Sequence, residues 1–193
     1  MIMKGRYPIV LASASPRRKE LLARLFEAFE IIPSTVDEDA IEAPAQSLAL
    51  VLANAKAADV FEQRPDNLVI GCDTVVSLDE KTLGKPGSEE EARIMLEQLS
   101  GKSHEVITGV CLLYPGGNKS FSERSLVTFR EIEPAEIAEY IRTGEPMDKA
   151  GAYAIQGGGK KFAARIQGDI DNIIGLPVAA LQKALEEIGY RGS

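Results

Sequence analysis

A chain of 193 residues, 45% of them hydrophobic, is long enough to bury a sizeable core and suits a single domain over residues 1–193. Its 22 Lys and Arg against 29 Asp and Glu give a formal charge of -7, so no dominant basic field exists and a polymeric nucleic-acid partner is excluded. One histidine argues against a zinc site, and the two cysteines, Cys72 and Cys111, lie in apolar runs and read as buried thiols of a reducing compartment.

Met1 to Pro8 carries no long apolar core or cleavage pattern, and no stretch reaches membrane-spanning length, so a cytoplasmic protein without a membrane partner is expected. Ile9-Val10-Leu11, a small-residue turn and apolar positions Leu21, Leu22, Leu25, Phe26 and Phe29 at helical spacing predict strand, loop and helix. Ser15 is a natural N-cap and Pro16 a natural first helical residue. Arg17, Arg18 and Lys19 then face the positive end of the helix dipole, each unfavourable by roughly 0.3–1 kcal/mol. Ser88-Glu89-Glu90-Glu91 builds a helix start the opposite way, with acids in the first turn. Two readings of the cationic start stand side by side: a phosphate chain docking on the helix-start amides, or three solvated cations tolerating the dipole.

Glu30 to Pro33 predicts a short strand running into the acidic loop Val36-Asp37-Glu38-Asp39, which clustered acids usually make a solvated loop. Ala45 to Gln63 predicts a helix with Leu48, Val51, Leu52, Ala55 and Ala58 on its apolar side. Lys56 flanks that stripe, where a lysine ordinarily carries its ammonium out to water. Leu68 to Leu78 reads as the most buried strand, yet Asp73 stands in its middle. An uncompensated buried charge costs several kcal/mol, so Asp73 requires a partner. An ion pair or a bulge hydrogen bond would serve; a metal ligand or general base is the preferred reading, because misplaced ionisable groups concentrate at sites. Thr74 faces the opposite side of a regular strand.

Asp79-Glu80-Lys81 predicts a turn returning through Gly84-Lys85-Pro86, with Lys85 at the strand's end. A capped helix follows from Ser88 to about Leu99, stopped at Gly101, its buried stripe Ala92, Met95, Leu96 and Leu99. Strands Glu105 to Tyr114 and Phe121 to Ile132 flank the turn Pro115-Gly116-Gly117-Asn118, with His104 at the opening in a structural or incidental role. Glu133-Pro134 starts a short helix ending at Gly144. The glycine-rich segment around Lys149 and Gln156 permits close backbone approach and lacks Walker-loop spacing. Phe162 to Gln167 predicts a strand, and Gly175-Leu176-Pro177 introduces a last helix ended at Gly189. Helices alternating with strands and two hairpins predict an α/β class with a mixed sheet, its site near strand carboxyl ends.

Five blocks, Ser13-Ala14-Ser15-Pro16-Arg17-Arg18, Gly71-Cys72-Asp73-Thr74-Val75-Val76, Gly84-Lys85-Pro86, Asp148 to Gly157 and Asn172 to Pro177, together resemble the Maf family of nucleoside triphosphate pyrophosphatases, historically linked to inhibition of septum formation. The resemblance implies an elongated mixed α/β fold like that of inosine triphosphatases, two lobes with a central cleft, and hydrolysis of a nucleoside triphosphate to monophosphate and diphosphate with a divalent metal, Mg or Mn. Arg17, Thr74 and Gln156 resemble the dTTP/UTP subgroup; the subgroup acting on 7-methylguanosine triphosphate tends to carry an aromatic, a glutamine and a glutamate there. By the same resemblance Asp73 is the proton acceptor, Ser13, Arg18, Glu38, Lys56, Lys85 and Lys149 are polar cleft positions, and Glu38 with Asp73 would hold the metal. Ile170, where many members have an aromatic, and Asn54, where a charge is common, depart from the pattern. A small nucleotide, canonical or modified, is the expected partner, and a homodimer stays open. The competing class is a nucleotide-binding regulator of cell division with little hydrolysis.

Overall fold

The structure, a computed structural model, describes residues 2–192. At its centre lies strand β4 (Leu68–Leu78), with ten of eleven residues buried, which is why its sequence runs continuously apolar instead of alternating. Strand β6 (Ser103–Tyr114) pairs with it antiparallel from Val69 opposite Leu113 to Ser77 opposite Glu105. Strands β7 (Gly117–Phe129) and β8 (Ala163–Gln167) extend the sheet antiparallel on that side. On the other side β2 (Ile9–Leu11) pairs parallel with residues 68–70 of β4 and carries β3 (Glu30–Ile31) at its outer edge. Further along, hairpin strand β5 (Lys81–Leu83) pairs with residues 76–78. Among the described residues no strand covers this edge of β4 between Gly71 and Val75. β1 (Met3–Lys4) and β9 (Arg191–Gly192) form a separate antiparallel pair.

Helices α1 (Pro16–Leu22), α2 (Ala45–Gln63), α3 (Glu89–Leu99), α4 (Pro134–Ile141), α5 (Ile170–Ile174) and α6 (Val178–Glu187) cover the sheet. Leu68, Ile70 and Cys72 of β4 pack with Leu21, Leu22, Leu181 and Leu185 into one core. At the far end of the same strand Val76 and Leu78 join Leu96, Leu99, Phe129 and Phe162 in a second. The opposite face presents Val69 to Ala53, Ala57 and Val60 of α2. The mixed sheet and a cleft between two cores therefore follow the expected architecture.

Helix α2 spans the predicted residues but turns a different face inward. The buried face is Ala45, Ala49, Leu52, Ala53, Lys56, Ala57 and Val60, while Val51, expected inside, is 40% exposed. Proximity decides this. A Cβ on Gly71 would lie 2.3 Å from the Ala53 carbonyl oxygen, and one on Gly109 would lie 2.4 Å from the Ala49 backbone. Only Ala49, Ala53 and Ala57 fit a floor of glycines at that separation, and with them facing the sheet Val51 is turned outward while Leu52 and Val60 stay on the buried face.

Other differences are local. Helix α1 stops at Leu22, and Leu25 and Phe26 are buried from the turns that follow. The β6–β7 turn is tighter than predicted, Pro115-Gly116 with Gly116 at φ 90. The short α5 and the β1–β9 pair have no predictive periodicity. His104 is structural, as expected: its Nε2 lies 2.8 Å from the Tyr153 hydroxyl, Phe129 packs edge-on against it, and burial pushes its pKa down to about 4.

Gly71→Ala is expected to cost about 1–3 kcal/mol or more by forcing α2 off the sheet. Urea unfolding measures it, and an unchanged midpoint would mean that the helix can move away freely.

Candidate active site

The uncovered edge of β4 opens into a cleft of ≈ 1280 Å³. Because neighbouring strand residues point to opposite faces, Asp73 emerges on the α2 side of the gap and Thr74 on the α1 side, and both reach the same opening. Ser13, Arg17, Arg18, Glu38, Lys56, Lys85, Lys149 and Gln156 line that opening as well. Every site position named from sequence thus borders one space.

On the α2 side, Lys56 comes off the buried helix face at 7% exposure, against 6% for Asp73. Its Nζ donates to Asp73 Oδ1 at 2.6 Å and lies 2.8 Å from Glu38 Oε1. The ammonium does not escape to water, contrary to the ordinary behaviour of a lysine beside an apolar stripe; the glycine floor brings α2 near enough to hold it over the strand. This is the partner that a buried aspartate requires. Glu38 lies in a 3₁₀ turn, Glu38–Ala40, capped by the Asp37 side chain, so the acidic loop is a positioned element and not merely solvated chain. Burial pushes the Glu38 carboxyl up, but the hydrogen bond and charge of Lys56, with the fields of Lys85 and Arg18, outweigh it and leave the carboxyl below its ordinary range.

On the α1 side, the Ser15 hydroxyl caps the helix by accepting from the Arg18 amide at 3.4 Å. The Arg18 guanidinium folds back over the cleft, donating from Nε to the Gly175 carbonyl at 2.9 Å, from Nη1 to Ser13 Oγ at 3.2 Å and from Nη2 to Thr74 Oγ1 at 3.1 Å. The cationic helix start has a divided explanation: Arg18 is tied to neutral acceptors, Arg17 stands on the cleft wall, and Lys19 is exposed outside it. Among the described residues Arg17 and Lys85 enter no ion pair, whereas Lys149 pairs with Asp148. Asp148 is held below the ordinary carboxylate range first by the Lys149 hydrogen bond and then, against some desolvation, by the charges of Lys149 and Arg17. In a chain of charge -7, five cationic side chains therefore border one cleft.

The two carboxylate oxygens that converge on Lys56 Nζ are hard donors around a point where a cation already sits, and among the described residues no third His, Cys, Asp or Glu joins them. Two carboxylates with the remaining ligands from phosphate and water fit the habit of Mg²⁺. Thr108, which no motif or spacing marks, places its hydroxyl 2.9 Å from Thr74 Oγ1 and is itself fully buried. Its sign in the sequence is a polar residue inside the apolar Val106 to Leu113 run, as anomalous as Asp73 in its strand.

A family profile described as Maf-like protein matches residues 8–188. A dTTP/UTP pyrophosphatase of Thermococcus onnurineus (strain NA1) is 49% identical over 182 residues, covering 94% of this chain and 98% of that one. Those of Carboxydothermus hydrogenoformans, 48% identical with 94% and 99% covered, and Akkermansia muciniphila, 46% identical with 95% and 98% covered, match over similar lengths. Among solved structures the Staphylococcus aureus Ham1 protein is a distant likeness, with a TM-score of 0.45 and 15% identity over 63% of this chain and 71% of that one.

Lys56→Met is expected to leave Asp73 buried without a counter-charge and to destabilise the protein by about 3–5 kcal/mol. Adding Asp73→Asn should recover part of that loss in thermal unfolding, whereas additive losses would mean that the two side chains contribute separately.

Proposed function

The chain belongs to the Maf family, and on that premise we propose that its cleft hydrolyses dTTP and UTP, and modified pyrimidine nucleotides of the same shape, to the nucleoside monophosphate and diphosphate. This is a hydrolase of phosphoric anhydrides that removes nucleotides from the triphosphate pool. The observation that carries the reading is the Lys56–Asp73 ion pair at the floor of a cleft bordered by Arg17, Arg18, Lys85 and Lys149. A triphosphate tail is the small polyanion that such a ring of cations matches.

Cleavage between the α and β phosphorus atoms needs a water aligned opposite the leaving diphosphate and compensation of the charge that collects on it. Asp73 is the group placed to orient that water and take its proton as the oxygen bonds to the α phosphorus. Lys56, within 2.6 Å, holds the carboxylate in place before the water arrives. As the bridging bond breaks, the electron pair leaves with the β phosphate. Arg17 and Arg18 meet the departing oxygens with forked donors, Lys85 and Lys149 as point charges. Ser13 adds a short polar contact at the cradle's edge. Glu38 and Asp73 would hold a divalent metal, which supplies further charge neutralisation to the phosphate oxygens when bound. Thr74 accepts from Arg18 beside the phosphates, and the Gln156 amide offers both a donor and an acceptor to a pyrimidine edge.

A screen of nucleoside triphosphates with a diphosphate-release assay tests the reading directly. Asp73→Asn should lower turnover about 10²-fold or more while nucleotide affinity stays within a few-fold; near-normal diphosphate release by that variant would remove Asp73 from the base role. Gln156→Glu should shift the ranking of bases in kcat/KM while leaving diphosphate affinity nearly unchanged, and an unaltered ranking would place base recognition elsewhere.

A further inference from the structure

The back of the cleft contains a hydrogen-bond chain whose direction is fixed by chemistry. Thr108 Oγ1 donates to the main-chain carbonyl of Asn172 at 2.9 Å, and a carbonyl oxygen only accepts, so the single Thr108 hydroxyl proton is committed there. The 2.9 Å contact between Thr74 Oγ1 and Thr108 Oγ1 must then run from Thr74 to Thr108. With its proton spent, Thr74 meets the Arg18 Nη2 donor at 3.1 Å purely as an acceptor. The sequence Arg18 to Thr74 to Thr108 to Asn172 therefore points one way, from the cleft wall into the core. Thr108 and Asn172 are both 0% exposed, and the Asn172 amide is itself anchored, donating to Val106 O at 3.0 Å and Ser125 Oγ at 2.9 Å.

We propose that Thr108 is a positioning residue of the hydrolysis, setting the orientation of the Arg18 guanidinium through the Thr74 hydroxyl. The inference rests on the hydrolytic role proposed for the cleft. Were Thr108 unable to accept, the Thr74 hydroxyl would lose the partner that fixes its rotor, and with it the fixed acceptor aimed at Arg18. The guanidinium would then keep only its Gly175 and Ser13 contacts. The chain also removes Thr74 as a hydrogen-bond donor to substrate: whatever contacts Thr74 from the cleft must itself donate or be apolar.

The test uses Thr108→Val, which keeps volume and loses the hydroxyl, Thr108→Ser, which restores it, and Arg18→Lys as background. Inorganic diphosphate is the probe in calorimetry, and the Arg18 Nε–H resonance reports the guanidinium in the absence of any nucleotide. Thr108→Val should weaken diphosphate about tenfold and speed exchange of the Arg18 Nε–H, Thr108→Ser should return both to within about twofold, and in the Arg18→Lys background Thr108→Val should cost less than about twofold. If Thr108→Val does not fold, Thr108→Ala removes the same hydroxyl with less bulk and should reproduce the first two effects. Equal losses in both backgrounds, or a serine variant that folds without rescue, would overturn the proposal. Failure of the wild-type protein to release diphosphate from dTTP, with the Nε–H effect intact, would overturn the functional reading and leave the positioning role standing.

Discussion

The interaction on which the molecule depends is the buried contact between Lys56 and Asp73. Neither ion is tolerable in that interior without the other, and each comes from a different layer: Lys56 from a helix, Asp73 from the central strand. Their meeting requires helix and sheet to approach more closely than ordinary side chains permit. Gly71 and Gly109 on the sheet and Ala49, Ala53 and Ala57 on the helix provide that approach, and Gly109 sits directly opposite Asp73 in the strand ladder. The small residues thus serve a charge pair as much as a core. Because the pair is assembled by folding, the carboxylate is held in one orientation at the cleft before anything enters it.

The second requirement is an opening beside that pair. A fully paired β4 would bury Asp73 out of reach. β2 leaves the strand after Ile70 and β5 joins it only at Val76, so a few residues of edge stay uncovered between two well-packed cores. Chain flanking that interruption supplies the remaining side chains: the loop into α1, the 3₁₀ turn with Glu38, the residues after β5, and the glycine-bearing segment with Lys149 and Gln156. Each of these stretches runs along the surface and is free to carry polar side chains, while the strand between them is not.

Much of this can be read from the order of the amino acids alone. Strand β4 and helix α2 have their predicted limits, Ser15 and Ser88 cap the helices whose starts they mark, and the named site residues gather around one cleft. Local signals of this kind survive folding because they act within a few residues of chain. The features that escape such a reading depend on partners distant in sequence. The inward face of α2 is chosen by glycines on two other strands, which no helical periodicity records. The place of Lys56 follows from that choice. The five-residue α5 is too short to show a period, yet the Gly175 carbonyl at its end anchors Arg18. Thr108 carries a readable anomaly but no spacing that joins it to Thr74, since only the antiparallel register sets the two opposite each other.

That register leaves the strand with a two-sided wiring. Asp73 answers to the helix on one face and Thr74 to the arginine and the buried threonine on the other, with a single peptide bond between them. The backbone acts as a partition: the carboxylate is wired to the helix lysine on one face and the arginine to the buried threonine on the other, so the two halves of the pocket are held by separate contacts. A change behind one face can therefore shift the side chain anchored there while the wiring of the other face stays as it was.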